Sequence, residues 1–160
     1  MGFEYHKRQQ RAPGYNLSRG LTAEASTAYN FDLLFAAATN GVRTGRLVRI
    51  SAAGIVVPTT GSTGRAGIGI TLSSASSGSN VQVRVFGICP AVASTAALAA
   101  GSFVRGNAGA STSSSAGTVR ATTGLLASCI GFALTSAAAG AIATTRTVNV
   151  VITHSGQVLA

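Results

Sequence analysis

Two stretches decide how this chain is read: IGITLSSASSGSNVQVRVFG at residues 68–87 and IGFALTSAAAGAIATTRTVNVVIT at residues 130–153. Each runs from an Ile-Gly pair through a short apolar segment and a loop of small residues into a second apolar segment. Ile68, Gly69, Leu72, Ala75 and Gly78 recur as Ile130, Gly131, Leu134, Ala137 and Gly140. The echo continues upstream, where GRLVR at 45–49 answers GSFVR at 101–105, and Ala53-Gly54 answers Ala108-Gly109. A duplicated unit therefore spans about 45–87 and 101–153, with additional residues in the second copy around STSSSAGTVRATT. Two copies are too few for a solenoid, so the units are expected to pack on each other.

The units read as β-structure. Val81-Gln82-Val83-Arg84-Val85 and Val148-Asn149-Val150 alternate apolar and polar residues, and Gly/Ser/Thr turns separate such runs. Alternation places the valines on one face and Gln82, Arg84 and Asn149 on the other, so one sheet face is core and the other is wet or an interface. YNFDLLFAAATNG at 29–41 fits helical spacing at Phe31, Leu34 and Phe35 but its aromatics also suit a strand, and it is read as a strand. AVASTAALAAG at 91–101 has helical alanine propensity, yet Pro90, Gly101 and the internal Ser94-Thr95 favour a loop or single turn. The expected fold is all-β: a compact β-sandwich or small β-barrel built from the two units over residues 21–160, preceded by an extended arm at residues 1–20.

That arm carries four of the chain's twelve basic residues, Lys7, Arg8, Arg11 and Arg19, interleaved with Phe3, Tyr5 and Tyr15 and broken by Pro13-Gly14. It has no hydrophobic periodicity and is expected to become ordered by lying on another surface. The first residues are not read as a signal peptide, since Lys7 and Arg8 lead into QQRAPGYNLSRG and not into an apolar run. The uncharged stretches 85–104 and 121–145 are studded with Gly, Ser and Thr and do not read as membrane spans.

Only 9% of the 160 residues are charged, against about 25% in an ordinary soluble domain, so much of the surface is expected to be covered in an assembly. The net charge is +9. The acids are Glu4, Glu24 and Asp32, and eight arginines follow Asp32 with no carboxylate among them. Those arginines are read as lacking internal partners, which points to an acidic external surface. Arg49, Arg84, Arg105 and Arg146, on strand-like segments, are the candidate contacts, together with the basic and aromatic residues of the arm.

Catalysis is not expected. General acid–base and nucleophilic chemistry need a tuned carboxylate, His or Cys beside a partner. His6 and His154 stand at opposite ends, and no GxSxG or SxxK pattern occurs. GSTGRAGIG at 61–69 is glycine-rich but lacks the Lys-Ser/Thr ending of a phosphate loop and leads into a strand-like segment. Cys89 and Cys129 sit in apolar stretches and are read as reduced core thiols. No cofactor, metal, membrane or small-molecule substrate is expected.

The order GRLVRIS-AAG, AGIGITLSSASSG, VQVRVFGICPAVASTAALAAGSFVRGNAG, CIGFALTSAAAG and VNVVI, over about residues 41–153, resembles the capsid cement, or decoration, proteins of tailed bacteriophages. Their recurrent feature is a glycine-hydrophobic-alanine-leucine segment, a small-residue loop and a glycine, present twice. This chain departs from them where relatives carry acids, holding SSASSG, TSAAAG and Ser102 instead. The resemblance implies a protein made in the host cytoplasm that binds the outer face of the expanded icosahedral head, often as a homotrimer, bridging major capsid protein subunits. Two other readings compete: a nucleic-acid-binding protein, motivated by the charge but short of lysines and recognition signatures, and a tail-fibre or receptor-binding module.

Overall fold

The alternating runs all form strands. The computed structural model describes residues 30–60, 67–107, 114–122, 129–142 and 146–153, and these hold strands, turns and loops without a helix. The arm lies outside them. Nine strands follow in order: β1 (Phe31–Ala36), β2 (Leu47–Ile50), β3 (Val56–Pro58), β4 (Gly69–Thr71), β5 (Asn80–Val92), β6 (Phe103–Gly106), β7 (Val119–Ala121), β8 (Gly131–Ala133) and β9 (Thr147–Ile152). The ambiguous stretch after Tyr29 is thus a strand. Residues 93–101 are bends and turns around isolated bridges at Ala93 and Leu98, because β5 stays paired with β9 through Val92 and the bridge from Leu98 to Ala137 leaves too short a stretch for a helix.

All strand ladders are antiparallel and join into one curled sheet, with β3, β2, β4, β5, β9, β8, β6 and β7 as successive neighbours and β1 on the free edge of the first half of β5. The pairing divides into two equivalent five-strand sets. In the first, β1 pairs β5, β5 pairs β4, β4 pairs β2 and β2 pairs β3. In the second, β5 pairs β9, β9 pairs β8, β8 pairs β6 and β6 pairs β7. Register matches as well: Leu47 opposes Ile70 and Val48 opposes Gly69, as Phe103 opposes Phe132 and Val104 opposes Gly131. Each set closes on itself through one parallel bridge, Ala37 to Val56 in the first and Ala93 to Val119 in the second. The result is two small barrels that share β5, whose first half ends one and whose second half opens the other. The repeat in register therefore begins at β1, upstream of Gly45, where the echo in sequence begins. It aligns Gly54 with Gly117, so the pairing of Ala53-Gly54 with Ala108-Gly109 is corrected: the added residues of the second copy precede β7.

Each barrel has its own core, filled by equivalent residues. Ala37, Val42, Val48, Val56, Val81 and Val83 pack in the first. Ala93, Leu98, Val104, Val119, Val148 and Val150 stand at the corresponding places in the second. The second core has two further members from the first barrel, Leu47 and Ile70, both wholly buried. They point outward from β2 and β4, so the outside of the first barrel plugs the second. Close approach requires glycine at Gly131, where a Cβ would strike the carbonyl oxygen of Val151.

Cys89 and Cys129 are unpaired and buried, as expected for core thiols. Burial pushes the Cys89 thiol up to about 12. In the unfolded chain this thiol ionises near 9, so the folded state alone keeps the proton above that pH. Stability is expected to fall as pH rises from about 9 toward 12, and Cys89→Ala should flatten that decline in chemical denaturation. Leu47→Ala, which removes the plug between barrels, is expected to lower unfolding free energy by about 2–5 kcal/mol in urea titrations. Loss of less than about 1 kcal/mol would show that the inter-barrel contact adds little.

Candidate partner-binding surface

The arginines separate into those the fold uses and those it leaves outward. β5 places Arg84 opposite Asp32 on β1, because both strands turn their even-numbered side chains away from the core. Arg84 Nε donates to Asp32 Oδ1 at 2.7 Å and Nη2 to Oδ2 at 3.0 Å, a two-pronged pair of the kind guanidinium geometry favours. Nη1 donates to the Ile88 carbonyl at 2.7 Å, and Gln82 Nε2 adds a 3.0 Å bond to Asp32. Hydrogen bonding to Asp32 raises the Arg84 pKa against the opposing effect of burial. The expectation that the arginines after Asp32 lack internal partners is therefore corrected at Arg84. Its partner lies far away in sequence and meets it only through strand pairing.

Arg146 also turns inward, onto the carbonyls of Ala96 and Ala138. It ties together two loops of the second barrel without any carboxylate. Arg46 is nearly wholly buried and donates Nη1 to the carbonyls of Ser114 at 2.9 Å and Ala116 at 3.2 Å, stapling the first barrel to the turn before β7. Burial, and then the neighbouring Arg43, lowers its pKa. Arg46 was not singled out from the sequence. The signal was present in GVRTGRLVR, where arginines fall at every third position.

Arg49 and Arg105 occupy equivalent positions on β2 and β6, half-buried, and the Nε of each has no hydrogen-bond partner. Arg105 stands directly opposite Arg120 on β7, whose Nε is likewise unbonded. Like charges facing across a ladder repel, and an external anion would relieve both. Arg43, Arg46 and Arg49 line a groove of roughly 560 Å³ with Asn40, Ser51 and Thr60. Among the described residues Asp32 is the sole carboxylate, and Arg84 already holds it. This groove and the Arg105–Arg120 pair are thus cationic surfaces suited to carboxylate or phosphate groups on another molecule. Phe3, Tyr5, Lys7, Arg8, Arg11, Tyr15 and Arg19 lie outside the described residues. His/Cys/Asp/Glu clusters able to hold a metal do not occur among the described residues.

A second feature escaped the sequence reading. Phe103, Phe132, Val151 and Ile88 lie directly opposite one another across β6, β8, β9 and β5, forming an apolar stripe on the outside of the second barrel. Phe103 is 45% exposed, and Leu134, two residues beyond Phe132, is 41% exposed. The alternation read in the sequence placed only Gln82, Arg84 and Asn149 outward, and strand pairing is needed to align these four apolar residues.

Comparison with known proteins gives one informative likeness. No protein-family model matches the chain, and no curated protein does. Among solved structures the chain is similar to the head fiber gp8.5 N base in bacteriophage phi29, with a TM-score of 0.54 and 18% sequence identity, over 79% of this chain and 98% of that one. At this identity the shared property is the fold alone, which in this chain is all-β, a curled antiparallel sheet.

Asp32→Ala is expected to lower stability by about 1–2 kcal/mol, since it strands a half-buried guanidinium. A double-mutant cycle with Arg84→Met, read by denaturant midpoints, should return a coupling of about 1 kcal/mol that shrinks in high salt. Additive losses would show the pair to be energetically idle.

Proposed function

We propose that this protein is a structural virion component of a tailed bacteriophage, a cement or decoration protein on the outer surface of the head. In this reading a homotrimer binds the expanded icosahedral shell and bridges major capsid protein subunits. It acts by binding alone, with no substrate or cofactor. The observation that carries the reading is the fold held in common with a bacteriophage head-fiber base, over nearly the whole of that chain. The cationic groove supports it from the side of chemistry. Arginines left without carboxylates inside the fold are matched to an acidic partner surface, and a lattice repeats such a surface many times. Selective binding to the expanded form stabilises that form by linkage.

One observation favours a second reading. The similar structure is the base of a head fiber, so the two barrels would serve as the foot by which a longer projection stands on the head. Both readings put the same cationic surface against a capsid. They differ in whether copies cover the lattice or occupy scattered positions.

The experiment is a titration of purified protein onto unexpanded and expanded shells with bound copies counted. Cement predicts saturation of the expanded form at a stoichiometry set by the lattice. A fiber foot predicts low, fixed occupancy. Equal binding to both shell forms, or none, would defeat the cement reading. The double substitution Arg43→Glu, Arg49→Glu is expected to weaken shell binding about tenfold or more, with wild-type binding itself declining as salt rises. Retention of DNA at physiological salt, steeply salt-dependent, would instead favour the nucleic-acid reading.

A further inference from the structure

The two barrels share a skeleton but not an environment. Within the chain, the outside of the first barrel docks on the second through a definite set of contacts. Leu47 and Ile70 enter the second core, the Gly45 carbonyl accepts from Val92 N at 2.8 Å, and Leu47 N donates to the Gly117 carbonyl at 2.7 Å. Register assigns each docking position a counterpart in the other barrel. On the second barrel's outer face, Gly101, Phe103 and Phe132 correspond to Gly45, Leu47 and Ile70. On the first barrel's receiving side, Ala36 and Gly54 correspond to Val92 and Gly117.

The counterparts are open. A Cβ placed on Gly45 would meet Val92, and one on Gly117 would meet the Leu47 carbonyl and Arg46. A Cβ placed on Gly101 or on Gly54 would meet nothing within 4 Å, although both glycines keep the left-handed backbone of their equivalents. Phe103 is 45% exposed where Leu47 is fully buried. The receiving side is apolar but shaped differently: Ile50, 45% exposed, fills the position where Gly106 leaves room for Leu47 in the second barrel, and Leu34 is 68% exposed, so this side offers an apolar surface and not a slot. One molecule thus carries both free halves of an interface it has already made once internally.

We propose that a second copy of this chain fills them, head to tail, by setting the outer face of one copy's second barrel on the first barrel of the next. The new contact continues the established inter-barrel interface, with Phe103 laid against the exposed Leu34 and Ile50 instead of entering the core as Leu47 does. It also brings the end of β9 at Ile152 in one copy toward the start of β1 at Phe31 in the next, as Val85 leads into Gly87 within β5. Such a contact joins two different patches, so it propagates until it closes into a ring or runs on as a filament. The proposal deepens the homotrimer of the proposed function and rests on that reading only for the number three, which would give a ring of six barrels.

The test uses the full chain in the absence of shells, so capsid binding and self-association can fail separately. Sedimentation velocity and native mass spectrometry should show an oligomer for the wild type. Phe103→Glu spoils the giving face and Leu34→Glu the receiving face, and each variant alone is expected to be monomeric. Mixed in equal amounts, the two should form a one-to-one dimer that grows no further, because one intact giving face then meets one intact receiving face. Should either variant lose its circular dichroism spectrum, Leu134→Lys and Ile50→Lys serve as the second pair. A wild type that stays monomeric at the highest attainable concentration would overturn the proposal. So would an oligomer indifferent to both substitutions, which would place the contact elsewhere, for example on residues 1–29. A mixture that remains monomeric would point to a symmetric contact and would overturn it equally.

Discussion

The architecture depends on a single continuous strand doing two jobs. β5 runs through thirteen residues. Val81, Val83 and Val85 feed the first core, and Cys89 and Ala91 feed the second. Between them the ladder with β1 is irregular near Phe31, and Gly87 takes a φ of 107°. A side chain at Gly87 would strain that backbone and collide with Asn30. Because the strand is shared, neither barrel can shift its register without dragging the other, and a one-residue slip would turn two cores outward together.

The same skeleton then carries different outer surfaces. Across β4, β5 and β1 the first barrel places Ile70, Arg84 and Asp32 in a row; across β8, β9 and β5 the second places Phe132, Val151 and Ile88. Where one barrel has an ion pair, the other has apolar contact. The sole carboxylate of the described residues is thus spent within the first barrel, and this leaves the cationic groove beside β2 and the Arg105–Arg120 pair without an internal counter-charge. Duplication supplied two copies of a scaffold, and divergence of outward positions gave each copy a separate surface chemistry.

Legibility in the sequence followed the same division. One turn was readable because left-handed backbone demands glycine at both Gly45 and Gly101, so that position recurs as a letter. The alternating strands were readable because a two-residue period is imposed by pleating. β1 and the second half of β5 are structural equivalents that share no visible pattern, since FDLLFA and GICPAV place Phe35 against the first core where Ala91 lies in the second, and a 39% exposed Leu33 where Cys89 is buried. A core tolerates such exchanges when volume is restored elsewhere, and here Leu47 and Ile70 enter the second core where its own strands carry smaller residues. The Asp32–Arg84 pair and the four-strand apolar stripe were hidden for another reason: both exist only once distant strands are placed in register.

Charge decides how the two outward chemistries can be used. Copies that each carry +9 repel one another, so an arginine-lined contact between copies with no carboxylate to receive it would pay for desolvation and repulsion at once. An apolar contact avoids the first cost and is indifferent to the sign of its partner. A foreign acidic surface reverses the balance, because there the same net charge draws the protein in and the facing charges of Arg105 and Arg120 gain a counter-charge. On charge alone, the proposed contact between copies falls to Phe103 and its stripe, and the proposed contact with a capsid to the arginines. Salt then separates the two: by screening charge it relieves repulsion between copies while weakening attraction to an acidic lattice.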